Sequence, residues 1–460
     1  MTDIWRRIVF LTMPKDVKNA VLIKDIEGSM KSENELKNKT RQSIWQVYNG
    51  LPAPIYVLFW ATLINGVGIF VYPFLVLFLT QKLGYGDAQA GLFMTIASIL
   101  YIPGSFLGSK LADKFGRKKV MLISQALASS MFLICGLLGD SELVPAFIML
   151  NLLFDGACDP ARSALQTDVT SEENRQASFS LTYLGHNLGF IVGPLIAGIL
   201  FYRAPQWLFW GNGIAGFIAV MLVMWKIPES KPDTETIEKS LHSNSLDKAE
   251  RGGVFKALFT RPRLLIFALC QTFMHFSYSQ TLFALPLYTT RLFGEYGATL
   301  YGTMMSLNGV VVVVLTPFAV SKLRRFNPLA NIVIAGVFFT IGFSLFGIAY
   351  LPWMFYVLAV IYTTGEVISA TNVNYYVANN TPISHRARFS AIMPIIMGFG
   401  QGIAPMVGGA ISERHGLNLL WALVGITAAI GTLGVFILYL VDKRTCKKEA
   451  VHGTESSDTP

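Results

Sequence analysis

Long apolar runs separated by short polar breaks fill most of the chain. A helix needs about 20 predominantly apolar residues to cross roughly 30 Å of hydrocarbon, and these runs meet that length. The pattern predicts twelve spanning helices, near 52–80, 88–108, 118–138, 143–165, 177–201, 206–227, 263–290, 297–319, 328–350, 352–379, 388–411 and 417–441. Between the sixth and seventh, the stretch from Glu229 to Arg251 is rich in Lys, Glu, Ser and Asp and reads as a linker. Five segments follow: an N-terminal segment 1–50, a six-helix bundle 51–228, the linker 229–261, a second bundle 262–441 and a tail 442–460.

Of the 460 residues, 53% are hydrophobic and 14% charged, far more apolar than a soluble core requires. The spans leave no room for a soluble catalytic domain. The sequence also has no phosphate-binding loop, nucleophile elbow or paired metal ligands. An enzyme, an ATP-driven pump and a cofactor or metal site are therefore not expected. Cys135, Cys158, Cys270 and Cys446 are scattered without redox or zinc spacing. The net charge of +9 changes meaning once its placement is read: 33 of the 37 Lys and Arg fall on the side of both termini, and 4 on the other. Charge placed this way orients a membrane protein with both termini cytoplasmic and does not call for nucleic acid. At the front, Trp5, Arg6 and Arg7 beside a short apolar stretch ending at Pro14, followed by a polar segment to Arg41, read as an interfacial helix.

The two groups of six repeat. A shift of 211 residues places Asp155 on Glu366, Arg175 on Arg386, Pro194 on Pro405 and Gly198 on Gly409. Parallel repeats place a solute site at their mutual interface near the bilayer midplane and allow alternating access by rocking.

The break between the second and third spans reads Gly108-Ser-Lys-Leu-Ala-Asp113-Lys-Phe-Gly116-Arg117-Lys118-Lys119. This segment resembles the loop signature of the major facilitator superfamily. Gly116 suits a tight turn and Gly108 a close helix approach. Asp113 can accept from helix N-terminal amides, while the basic residues face anionic headgroups. The resemblance implies that Gly108, Asp113, Gly116, Arg117 and Lys118 form a conformational switch. The matching break in the second half, Ser321 to Asn327, keeps Lys322, Arg324 and Arg325 but lacks the Asp and Gly. Gly156 to Leu165, with Asp159, Pro160 and Arg162, and the run Asn187 to Gly198 with Gly189, Gly193, Pro194 and Gly198, are similar to the fourth and fifth helices of the drug:proton antiporter branch. Asn65 to Pro73 is similar to that branch's first helix, whereas Asn151 and Leu152 stand where the branch carries an Arg in its fourth.

Ionisable groups inside spans are costly unless they face a cavity or a partner. Asp155 and Glu366 are the deepest, and the resemblance implies that both face a central cavity from opposite halves. Two readings are open: proton exchange for a cationic or polar solute, or structural hydrogen bonding to a neighbouring helix. Asp159 and Arg162, three residues apart, predict a local ion pair acting as gate or brace. His275 shares a face with Gln271 and Tyr278, and His186 interrupts the fifth span, each a proton relay or a packed histidine. Asn65, Tyr375 and Tyr376 are further lining candidates. Asp168 with Arg175, and Arg386 with Arg388, fit loops docking on the Asp113 segment or solvated charges.

The expected fold is an all-α membrane protein of the major facilitator type, two pseudo-symmetric six-helix transmembrane bundles. Its expected partners are a small-molecule solute, protons and the lipid bilayer, and it is expected to act as a monomer in the cell membrane. The function so implied is proton-coupled efflux of small amphipathic or cationic compounds. A metabolite or sugar transporter, and a non-transporting membrane sensor, are the alternatives.

Overall fold

The computed structural model describes residues 48–229, 262–323, 325–380 and 386–455, excepting the side chains of 172, 378–379, 386–392 and 445–455. The proposed interfacial helix from Trp5 to Arg41, most of the linker, Arg324 and the side chains of Arg386, Arg388 and Cys446 lie outside the described residues.

Twelve long helices run in order: α1 (Ala53–Lys82), α2 (Asp87–Phe115), α3 (Arg117–Leu138), α4 (Val144–Asp168), α5 (Glu172–Arg203), α6 (Gln206–Lys226), α7 (Pro262–Phe293), α8 (Glu295–Leu323), α9 (Pro328–Phe346), α10 (Pro352–Asn380), α11 (Arg386–His415) and α12 (Leu417–Glu455). Ten are long and apolar enough to cross a membrane, and the remaining two are α4 and α7. At 25 and 32 residues, α4 and α7 are long enough to span, so what sets them apart is polarity. They carry Asp155, Asp159 and Arg162 in one case and Gln271, His275 and Gln280 in the other. The last helix continues past the expected end at 441 to Glu455.

Helix packing repeats with the sequence. In the first half α2 packs on α4, α1 on α5 and α6, and α3 on α4 and α6; in the second, α8 packs on α10, α7 on α11 and α12, and α9 on α10 and α12. The halves meet through α2 with α11, α5 with α8, and α1 with α7. Glycines make the first two crossings possible. A Cβ at Gly91 of α2 would fall on the Pro405 carbonyl of α11, and one at Gly302 of α8 on the Pro194 carbonyl of α5. The two contacts are related by the 211-residue shift, as are Gly198 against Ala298 and Gly409 against Asp87.

One helix is not continuous. α1 breaks after Val67, resumes at Val71 and ends in a π-helical turn over Phe78–Lys82. At the break Gly66 lies against the His186 carbonyl and Gly189 of α5. Irregular backbone at membrane depth needs partners inside the protein, and the Val71 amide donates to Asn212 Oδ1 of α6 at 3.5 Å.

Both crossings lie toward the end of the molecule that holds the α1–α2 turn, and apolar packing closes it further. Phe74 of α1 meets Tyr301 of α8 with ring centroids 5.3 Å apart, and Phe74 also packs on Phe201. A polar cluster joins the halves there. Arg291 Nη2, on the last turn of α7, donates to both Asp87 oxygens at 2.7 and 2.6 Å, and Ser412 of α11 donates to the same carboxylate. The neighbouring Glu413 accepts from the Ala88 amide at 2.7 Å, placing its negative charge on the N-terminus of α2.

Candidate functional site

Each half contains a cavity, and each cavity holds one of the repeat-related carboxylates. The first, about 240 Å³, lies among α1, α3, α4, α5 and α6 and includes Asn65, Tyr72, Gln125, Asp155, Arg162 and His186 in its wall. The second, about 630 Å³, lies among α7, α9, α10 and α11 and includes Gln271, His275, Tyr278 and Glu366. Each acid thus lines a cavity within its own half.

In the first cavity the helical spacing of α4 presents Asp155, Asp159 and Arg162 on one side. Arg162 Nη1 donates to Asp159 at 2.8 Å, and its Nη2 donates to Gln125 Oε1 of α3 at 2.7 Å. The Tyr101 hydroxyl of α2 donates to the other Asp159 oxygen. These bonds tie α4 to α2 and α3. Asp155 makes no hydrogen bond to a described residue, and Arg162, the cation beside it, is already engaged by Asp159. Two carboxylates and one guanidinium leave one negative charge. Asn151, standing where the antiporter branch has an Arg, accepts from Tyr72 at 2.6 Å and donates to the Ala128 carbonyl at 2.8 Å. It links α1, α3 and α4 without adding charge.

The second cavity is larger and mostly apolar, with Met274, Phe339, Met393 and Met397 among its walls. Glu366 accepts from Asn308 Nδ2 of α8 at 2.8 Å, and the same amide donates to Thr363 Oγ1 at 2.8 Å. Among the described lining residues there is no Lys or Arg, so Glu366 also stands as one uncompensated negative charge when ionised. An ionised carboxylate without a counter-ion in a low-dielectric site costs several kcal/mol, a cost that a proton or a cationic solute removes.

The other sequence candidates separate clearly. Gln271, His275 and Tyr278 line the second cavity together, and Asn65 and His186 line the first. His186 also stacks on Phe190, ring centroids 6.3 Å apart. Tyr375 is in the wall of neither cavity and is 58% exposed, while its neighbours Val373, Asn374 and Val377 line the second. Tyr376 is buried against Phe267, centroids 4.5 Å apart. Of the antiporter-like glycines, Gly189 and Gly193 lie on the broken stretch of α1, while Gly198, with the Pro194 carbonyl, lies on α8.

At the other end of the molecule, Gly116 adopts φ +106° between α2 and α3, and Gly108 packs on Ala157 of α4 with no space for a Cβ. Asp113 does not accept from the α3 amides. Glu229, just beyond α6, takes them instead, accepting from Lys118 N at 2.9 Å and Lys119 N at 3.1 Å. Asp113 pairs with Arg117 at 3.2 Å, and Arg117 also lies 3.4 Å from Asp168. Lys118 Nζ donates to the Met224 carbonyl of α6 at 2.9 Å. Sequence reasoning missed Glu229, Asn308, Gln125, Tyr101 and the Asp87–Arg291 pair. The one signal for the last was an Arg and an Asp at span ends on the side poor in basic residues.

Comparisons with known proteins agree with this architecture. YqjV, an uncharacterized transporter of the same type from Bacillus subtilis, is 29% identical over 379 residues, spanning 79% of this chain and 87% of its own. A Na(+), Li(+), K(+)/H(+) antiporter of Planococcus maritimus is 23% identical over 82% of this chain and 93% of its own length. The multidrug resistance protein MdtH of Edwardsiella ictaluri is 21% identical over 84% and 93%. Among solved structures, the nucleoside transporter NupG superposes with a TM-score of 0.67 at 14% identity, covering 84% of this chain and 99% of that one, and shares the fold. The Major Facilitator Superfamily model matches residues 58–393 and 332–456. With twelve helices packed as two repeats and that match along most of its length, the chain is a multi-pass membrane transporter belonging to the major facilitator superfamily.

Proposed function

We propose that the protein is a proton-coupled antiporter that exports small amphipathic cations by alternating access. The observation that carries this reading is one uncompensated carboxylate in each half, Asp155 and Glu366, each lining a cavity. A site with one surplus negative charge accepts either a proton or a cation, and that exclusive choice is what antiport requires. The apolar walls around Glu366 suit the hydrocarbon body of an amphiphile, and about 630 Å³ lies within the usual range for small-molecule sites. The cation/proton antiporter and multidrug relatives support the same reading.

With both termini cytoplasmic, as the basic residues favour, the end held by Asp87, Arg291 and Ser412 faces outside, and this structure is the inward-facing member of the cycle. The segments 51–228 and 262–441 then rock as two bodies about the glycine crossings. A metabolite transporter is the second reading. A 4-hydroxybenzoate transporter of Acinetobacter baylyi is 26% identical over 44% of this chain. The described residues around Glu366 offer no Lys or Arg for an organic anion, which favours the cation.

The test is flux in proteoliposomes. An imposed proton gradient should drive tetraphenylphosphonium against its concentration gradient, and Asp155→Asn and Glu366→Gln should each abolish that driven flux while the protein still inserts and folds. Full driven flux in both variants refutes the reading.

A further inference from the structure

Gln271 is a cavity-lining side chain with both of its polar atoms unmatched among the described residues. It sits on α7 in the wall of the second cavity, is 0% exposed, and neither its Nε2 nor its Oε1 has a hydrogen-bond partner among the described residues. Gln280 on the same helix, also 0% exposed, is half matched: its Nε2 donates to the Ala404 carbonyl of α11 at 2.8 Å while its Oε1 has no partner among the described residues, whereas Gln271 lacks both. Asn308, the amide bound to Glu366, is committed to Glu366 and Thr363. A buried primary amide with both its donor and its acceptor unmatched is destabilising unless a visiting group matches it. Apolar side chains, Met274 and Phe339 among them, line the same wall.

We propose that Gln271 is the specificity-determining residue of this cavity and reads an amide group on the solute, its carbonyl accepting from the solute's N–H. The inference rests on the reading above that Glu366 takes the solute's positive charge. Together the two residues define a substrate class: a monocation with an apolar body that also carries a carboxamide. An amide N–H on the solute donates to the Gln271 carbonyl, whereas an ester leaves that carbonyl without a donor. Discrimination built on a buried unmatched group is about tenfold or more.

Procainamide and procaine test this directly, since they share an aryl amine and a tertiary ammonium and differ by an amide in place of an ester. Titration calorimetry on the purified full chain should show procainamide binding about tenfold or more tighter than procaine. Gln271→Leu should remove that preference, weakening procainamide far more than procaine. It should also leave the apparent melting temperature equal or higher, because an apolar side chain replaces an unmatched amide. A structural role for Gln271 predicts the reverse, a lowered melting temperature with the preference intact. The inference is overturned if wild type shows no preference, if the preference survives Gln271→Leu, or if neither compound binds. Glu366→Gln separates the two claims. Loss of both ligands is expected, whereas retained binding with the preference intact sinks the charge reading and leaves Gln271 standing.

Discussion

Arg291→Ala tests how the closed end is held. Asp87 is 5% exposed, and its charge is met by the Arg291 guanidinium and the Ser412 hydroxyl. Removing one partner of a buried charge pair costs about 2–5 kcal/mol, mainly because the other charge is left unpaired. The Arg291 side chain is 49% exposed and partly screened, which places the loss near the lower end, about 2 kcal/mol. Since each 1.4 kcal/mol is about tenfold, the equilibrium should shift about 30-fold away from the state closed at this end. Spin labels at Asp140→Cys, on the turn after α3, and Tyr350→Cys, on the turn after α9, report the separation of the halves there. They are best placed in a background lacking the native cysteines. The distance distribution should gain a long component in Arg291→Ala, and adding Asp87→Ala should partly reverse it by removing the orphaned charge. An unchanged distribution, or a double variant more open than the single one, would refute the reasoning.

Gly91→Val and Gly302→Val place side chains on the Pro405 and Pro194 carbonyls and should both disfavour the same closed end. The spin-label pair should lengthen in each, and a difference in sign between them would contradict the two-fold relation. Glu229→Ala removes the acceptor for two α3 amides and should lower stability by about 1 kcal/mol, read as a drop in melting temperature. Arg162→Met unties Asp159 from Gln125 and leaves two carboxylates in the first cavity. Expression or melting temperature should fall markedly, and Asp159→Asn in the same chain should restore part of it.

The fold was largely legible because membrane spans follow from apolar length alone, and the 211-residue register preserved Pro194 with Pro405 and Gly198 with Gly409. Asp155 and Glu366 were legible for the same reason in reverse, since a carboxylate inside an apolar run needs a cavity. What the sequence hid depends on which surfaces meet. Which side chains surround each acid is set by how the helices are rotated, which no periodicity records. Asp87 and Arg291 lie 204 residues apart and belong to span ends, so only the packing of α2 on α11 and of α1 on α7 brings them together. Tyr375 and Tyr376 could not be ranked because the inner face of α10 carries no strong periodic contrast. Glu229 displaced Asp113 as the partner of the α3 amides because the α6 end folds back on that turn, a long-range contact invisible in the local motif.

The central claim is that a cationic solute and a proton compete for Asp155 and Glu366. The most direct measurement is proton release from purified protein in weakly buffered detergent solution on adding tetraphenylphosphonium, followed with a pH indicator. Wild type should release protons as the cation binds, each of Asp155→Asn and Glu366→Gln should release fewer, and the double variant none. Cation binding to wild type without proton release, or undiminished release from the double variant, would contradict the account.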